Sequence, residues 1–123
     1  MSKQRDLVYI AHILECIAHI LECIEYVQAY TKNGKESFIN ESLVQDAVLR
    51  RLQIMAESTQ RLSEEIRNRA TDIDWRGLSG FRNILIHDYL GGIDLDRVWD
   101  AIANDLSSLE QAMKQIAREL NNS

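Results

Sequence analysis

Proline is missing from this chain, and glycine occurs only five times in 123 residues. Without proline there is no ring to break a helix from within, and with few glycines there are few places for hairpin turns. Cysteine is scarce too: the two present exclude a disulfide framework, and their helical spacing suggests reduced thiols in a cytosol. Excess positive charge is also absent. A formal net charge of -5 argues against a general nucleic-acid coat. It leaves room for a local basic site, because Arg50, Arg51, Arg61, Arg67, Arg69, Arg76 and Arg82 all fall mid-chain. No secretory signal is visible. The apolar run after Lys3 and Arg5 is interrupted by His12, Glu15, His19, Glu22 and Glu25, a pattern expected to be too polar to span a bilayer. The expectation is a soluble, cytoplasmic protein with no membrane partner.

What is present is a surplus of helix formers, Leu, Ile, Ala, Glu, Arg and Gln, in a length suited to one domain over residues 1–123 with one core. A first helix is predicted from about Arg5 to Tyr30. It holds an identical tandem heptad, Ala11 to Ile17 and Ala18 to Ile24, and an apolar stripe of Ile10, Ile13, Leu14, Ile17, Ile20, Leu21, Ile24 and Val27. Such a stripe suits partner helices within the chain or across a dimer seam. Asn33-Gly34 ends the helix, and Glu36 to Asn40 reads as a connector. A second helix is predicted from about Glu41 through Leu62 and Ile66, bending near Ser58-Thr59. Asp72 or Asp74 caps a third, from about Trp75 to His87 or Leu90, with Gly77 and Gly80 allowing close approach of another helix. Asp94 caps a last helix with Val98, Ile102, Leu106, Leu109, Met113, Ile116 and Leu120 on one face. The fold class is all-α: an up-and-down bundle of four to five helices joined by short connections.

The third helix carries the chemistry. Arg82-Asn83-Ile84-Leu85-Ile86-His87-Asp88-Tyr89 sets a permanent cation, an amide, an imidazole and a phenol within one short segment. Arginine grips phosphate bidentately, histidine moves protons near neutral pH, and tyrosine offers a hydroxyl. At about 100° per residue, Asn83 and His87 share one helix face, while Arg82 and Tyr89 share another. Either the helix breaks before Tyr89 or a second subunit completes the site. The plain structural alternative pairs Arg82 with Asp88 or a helix end, and His87 with Asn83.

Arg82-Asn83 followed by His87-Asp88-Tyr89 resembles the R-x4-H-x-Y motif of HEPN-domain ribonucleases. Ile73-Asp74-Trp75 before it and Val98-Trp99 after it are similar to the toxin of the HepT–MntA toxin–antitoxin systems, and helix order and length extend the likeness over most of the chain. The resemblance implies a HEPN-like bundle and a metal-independent RNA endonuclease in which Arg82 and His87 are the catalytic pair and Asn83 supports them. It implies that Tyr89 is the residue AMPylated by an MntA-like nucleotidyltransferase antitoxin to silence the toxin. No metal and no cofactor are implied. The chain departs from the family where such toxins often have Gly-Glu-Ala: here Ala56-Glu57-Ser58 stands on the second helix.

Other clusters read more plainly. His12, Cys16, His19 and Cys23 lie on one stripe, and imidazole and thiolate are zinc ligands. One straight helix cannot wrap a tetrahedral ion, so the stripe reads as the flank of an interface. The arginines among Glu57, Glu64 and Glu65 suit a solvated, salt-bridged face. Arg76 is the exception, placed before Arg82 where it extends an RNA-binding surface. Trp75, Phe81 and Trp99 read as core.

RNA cleavage benefits from both an acid and a base, and the motif supplies one histidine, so a homodimer placing two motifs in one cleft is expected. The rival reading is a non-catalytic helical module that docks a nucleotidyltransferase and binds nucleotide or RNA.

Overall fold

The computed structural model describes residues 3–87 and 92–122, and among them every regular element is a helix. Five are long: α1 (Lys3–Tyr30), α3 (Ser42–Gln60), α5 (Trp75–His87), α6 (Leu95–Asn104) and α7 (Leu106–Asn121). Two are short: α2 (Lys35–Asn40) and α4 (Glu64–Arg67). Helix α1 packs on both α3 and α7, α5 packs on α3, and α6 packs on α7.

The tandem heptad of α1 explains its central place. Ile13, Ile17, Ile20, Ile24 and Val27 recur at three- and four-residue spacing, and all five are buried. They meet Leu52, Met55 and Ala56 of α3 and Leu109, Met113 and Ile116 of α7 in one continuous core. The other side of α1 stays wet: Leu7 is 65% exposed, and Val8 and Tyr9 are exposed too. Within residues 6–30 an 18-residue window reaches a mean hydropathy of 1.8, so this helix is by length and composition long and apolar enough to cross a membrane. The polar interruptions therefore do not exclude a span by composition, contrary to expectation.

Three boundaries differ from the sequence reading. Residues 35–40 are not a plain connector but helix α2, whose Phe38 is fully buried and stacks obliquely on Trp99 at 5.7 Å between ring centroids. Gly34 makes the entry with φ +93, a left-handed conformation that favours glycine. The second predicted helix does not run on to Ile66. It stops at Gln60, where the Arg67 guanidinium donates to the Thr59 and Gln60 carbonyls, and Ser63 Oγ accepts the Ile66 N–H to start α4. Side-chain donors and a serine cap here do what glycine or proline does elsewhere. The last predicted helix is two: it breaks at Asp105, next to Asn104, a pair of weak helix formers. Its apolar face survives the break, with Val98, Leu106, Leu109, Met113, Ile116 and Leu120 all buried.

Candidate functional site

Helix α5 begins at an aspartate cap. Asp74 Oδ1 accepts the Gly77 N–H at 2.9 Å. A Cβ on Gly77 would run into that carboxylate, so this glycine makes room for the cap rather than for another helix. Gly80 faces open space, so within the chain neither glycine serves a close approach of another helix. Trp75 fixes the entry: its indole Nε1–H donates to the Arg67 and Ala70 carbonyls at 3.1 and 3.0 Å. Phe81 and Leu85 are buried, and Trp75 and Trp99 pack against the core, as their residue types suggest.

Those anchors orient the motif. Arg82 is held by Glu57 of α3, with Nε donating to Oε1 at 3.1 Å, and both side chains remain about one-third exposed (36% and 37%). Arg82 Nη1 also donates to Asn83 Oδ1 at 3.3 Å. Among the described residues the Arg82 Nη2 amino group has no acceptor, and the Asn83 Nδ2 hydrogens have none either. Asn83 and His87 are exposed on one face of α5, as the i, i+4 spacing requires. Among the described residues no hydrogen bond reaches the His87 ring, so the His87–Asn83 bond of the plain alternative is not made. Arg76 is exposed and has no ion pair among the described residues. Tyr89, expected as the AMP acceptor, and Asp88 lie outside the described residues.

Glu57, which the sequence placed on a solvated arginine face, is the anchor of Arg82. It is the only charged residue between Arg51 and Arg61. A lone carboxylate facing the next helix was the available signal. A second tie, Ser79 Oγ to Gln60 Oε1 at 2.9 Å, joins the same two helices. Among the described residues, the arginines assigned to that solvated face find partners other than Glu64 and Glu65. Arg69 pairs with Glu119 at 3.2 Å, Arg50 donates to Gln53, and Arg51 stacks 3.9 Å above the Tyr26 ring.

The His12–Cys16–His19–Cys23 stripe divides. Cys23 is buried, Cys16 Sγ donates to the Ser58 carbonyl at 3.2 Å, and both histidines are exposed. Burial raises both thiol pKa values, with Arg61 opposing at Cys16 and Arg51 at Cys23. Among the described residues no three His, Cys, Asp or Glu side chains gather as a metal site.

A family model described as ribonuclease HepT-like matches residues 20–116, which include all of α3 and α5. The chain belongs to the HepT-like ribonuclease family. By family it is thus a ribonuclease. This HepT-like chain is 36% identical, over 92% of its length, to a Methanocaldococcus jannaschii protein named "Gamma-glutamylcyclotransferase and putative RNase", of which it spans only 48%. It is 29% identical to a "Putative RNase" of the same organism, over 93% of this chain and 98% of the other. It is 28% identical to the "Probable ribonuclease HepT" of Thermococcus cleftensis, over 68% and 74% of the two chains. No solved structure matches it. The HepT-like helices carry Arg82, Asn83 and His87 on α5, with Glu57 of α3 as the strut beneath the arginine.

Proposed function

We propose that this HepT-like protein is the toxin of a toxin–antitoxin pair, a cytoplasmic, metal-independent RNA endonuclease acting through Arg82 and His87. The observation that carries this reading is the guanidinium of Arg82, held from α3 by Glu57, beside an exposed Asn83 and His87 on the same helix. Cleavage proceeds by attack of a ribose 2′-OH on the adjacent phosphorus, with loss of the 5′-oxygen of the next nucleotide. His87 takes the proton from the 2′-OH or delivers one to the 5′-oxygen. Arg82 binds the scissile phosphate through its free Nη2 edge and stabilises the charge that grows on the phosphorane oxygens. Asn83 donates from Nδ2 to the phosphate.

Each chain brings one motif histidine, and the second proton transfer falls to the motif of a second copy. A homodimer that sets the two α5 helices on either side of one cleft, with the exposed face of each open to RNA, supplies it. Helix α1, the other expected interface, carries none of the motif residues, so α5 is the better surface for this pairing.

Silencing follows from charge. An AMP group on Tyr89, installed by a partner MntA-like nucleotidyltransferase, adds a phosphate seven residues from Arg82 in the motif, and that phosphate competes with the RNA phosphate for the guanidinium. The test is paired. Purified protein should cleave RNA in the presence of EDTA, and His87→Ala should not. Protein treated with the partner enzyme and ATP should gain whole AMP units at Tyr89 and lose cleavage, and Tyr89→Phe should gain none. Full cleavage by His87→Ala refutes the catalytic assignment. AMP mapped to Tyr9, Tyr26 or Tyr30 refutes the control mechanism.

A further inference from the structure

The solvent face of α5 is a single row. Arg76, Gly80, Asn83 and His87 are all exposed, and at about 100° per residue they fall within about 60° of one another. Ser79, Ile84 and Ile86 border the row and are half-buried. From Arg76 to His87 it runs for about 16 Å, at about 1.5 Å per residue. Its ends carry a cation and an imidazole. Its middle is bare, because nothing lies within 4 Å of where a Gly80 Cβ would stand.

That bareness has a cost. A glycine inside a helix is destabilising by roughly 0.5–1 kcal/mol relative to alanine. Gly77 has a structural reason, the Asp74 cap. Gly80 has no such reason: its φ is not in the left-handed region and no neighbour crowds it. Arg76 is equally idle within the chain, for among the described residues it makes no ion pair, whereas Arg82 is tied to Glu57.

We propose that the row is the track for the sugar–phosphate backbone of single-stranded RNA. Arg76 clamps a phosphate remote from the scissile one, and Gly80 is the low floor over which the strand reaches Asn83 and His87. This rests on the ribonuclease reading and adds to it the form of the substrate. The row offers no exposed aromatic ring: Trp75 is half-buried with its indole N–H engaged, and Phe81 is buried. Base stacking, the usual sequence-tolerant grip on single strands, is therefore not the means of binding along α5. Phosphate contacts are, and such binding weakens with salt at a slope of about −0.7 per phosphate neutralised on a single strand.

The probe is a short fluorescent 2′-O-methyl oligouridylate, which lacks the attacking hydroxyl and stays intact. Its affinity is measured by anisotropy across a salt series. Arg76→Gln should weaken binding and flatten the log–log salt slope by about 0.7. Gly80→Leu should weaken binding about tenfold with the slope unchanged, because it removes room rather than charge, and its Tm should not fall because leucine is the better helix former. A duplex of the same length should bind more weakly than the single strand. Wild-type affinity and slope in both variants, or a preference for duplex, overturns the proposal. So does a Gly80→Leu protein that becomes monomeric by sedimentation while its RNA affinity is intact, since the glycine then serves packing between copies. Loss of the ribonuclease reading looks different: the wild-type protein itself leaves unmodified RNA uncut.

Discussion

Helix α1 buries five apolar side chains on one face, Ile13, Ile17, Ile20, Ile24 and Val27, while α5 buries only Phe81 and Leu85. Both present histidines to solvent: His12 and His19 on α1, His87 on α5. Composition favours α1 as the reactive helix, since it adds two thiols to its imidazoles. Geometry reverses that. The α1 histidines stand a heptad apart, about 10 Å along the axis, with thiols that are buried or donating to a carbonyl. His87 stands one turn from Asn83, whose amide oxygen is held by an arginine that is itself anchored on another helix. A site is thus marked less by its titratable group than by the fixed charge beside it.

The sharpest break between the two helices is catalytic. His87→Ala should lower RNA cleavage by about 10²–10⁴-fold, the usual contribution of a positioned proton-transfer group, and Arg82→Ala by about 10²–10³-fold, the usual loss of a donor that stabilises transition-state charge. Far-UV circular dichroism should be unchanged. The double variant His12→Ala/His19→Ala should cleave as the wild type does. Equal losses from the α1 and α5 histidines would erase the distinction.

Stability should divide the other way. Ile20 has 0% exposure at the centre of the core, so Ile20→Ala should cost about 2–5 kcal/mol in denaturant unfolding. Ala18, two residues away on the wet side of the same helix, should tolerate Ala18→Gln within about 0.5 kcal/mol. A similar loss at both positions would mean that the outer face of α1 is covered in solution.

Much of this contrast was readable beforehand, and the exceptions have physical causes. The α1 stripe and the α5 motif are local patterns, fixed by helical period and short spacing. The buried faces of α6 and α7 were visible for the same reason, although the break at Asp105 was not. Helix ends at Gln60 and Asp105 escaped because no proline or glycine marks them. The first is capped by Arg67, and a cap supplied by a side chain seven residues on is a tertiary event. Phe38 turned a connector into a helix by burial against Trp99, sixty-one residues later in the chain. The role of Glu57 was not legible, because it is defined by Arg82, which no spacing rule connects to it.

Glu57 gives the next test, with a smaller expected effect. The pair is about one-third exposed, so its removal should alter stability by no more than about 1 kcal/mol. Its work is to hold the guanidinium in place for phosphate. Glu57→Ala should lower kcat about tenfold with KM nearly constant, as expected when an interaction made in the transition state is weakened. Glu57→Gln keeps an oxygen acceptor and should recover most of the rate. A residue needed only for folding would instead reduce Tm in both variants and leave kcat of the folded fraction intact.

The smallest effect returns to the thiols of α1. Burial raises the pKa of both Cys16 and Cys23. In the unfolded chain both ionise from about pH 8.5 upward, while in the folded chain they stay protonated to higher pH. The unfolded state then binds fewer protons, so stability is whole below the unfolded value and declines as pH rises through the folded one. Urea midpoints measured from neutral to alkaline pH should fall, and Cys16→Ala/Cys23→Ala should fall less steeply. Exposure separates the pair in a second measurement: a thiol reagent at neutral pH should reach the half-buried Cys16 before Cys23, which is 2% exposed. Prompt modification of both would mean that α1 opens readily, and the contrast between a fixed α1 and a working α5 would be lost.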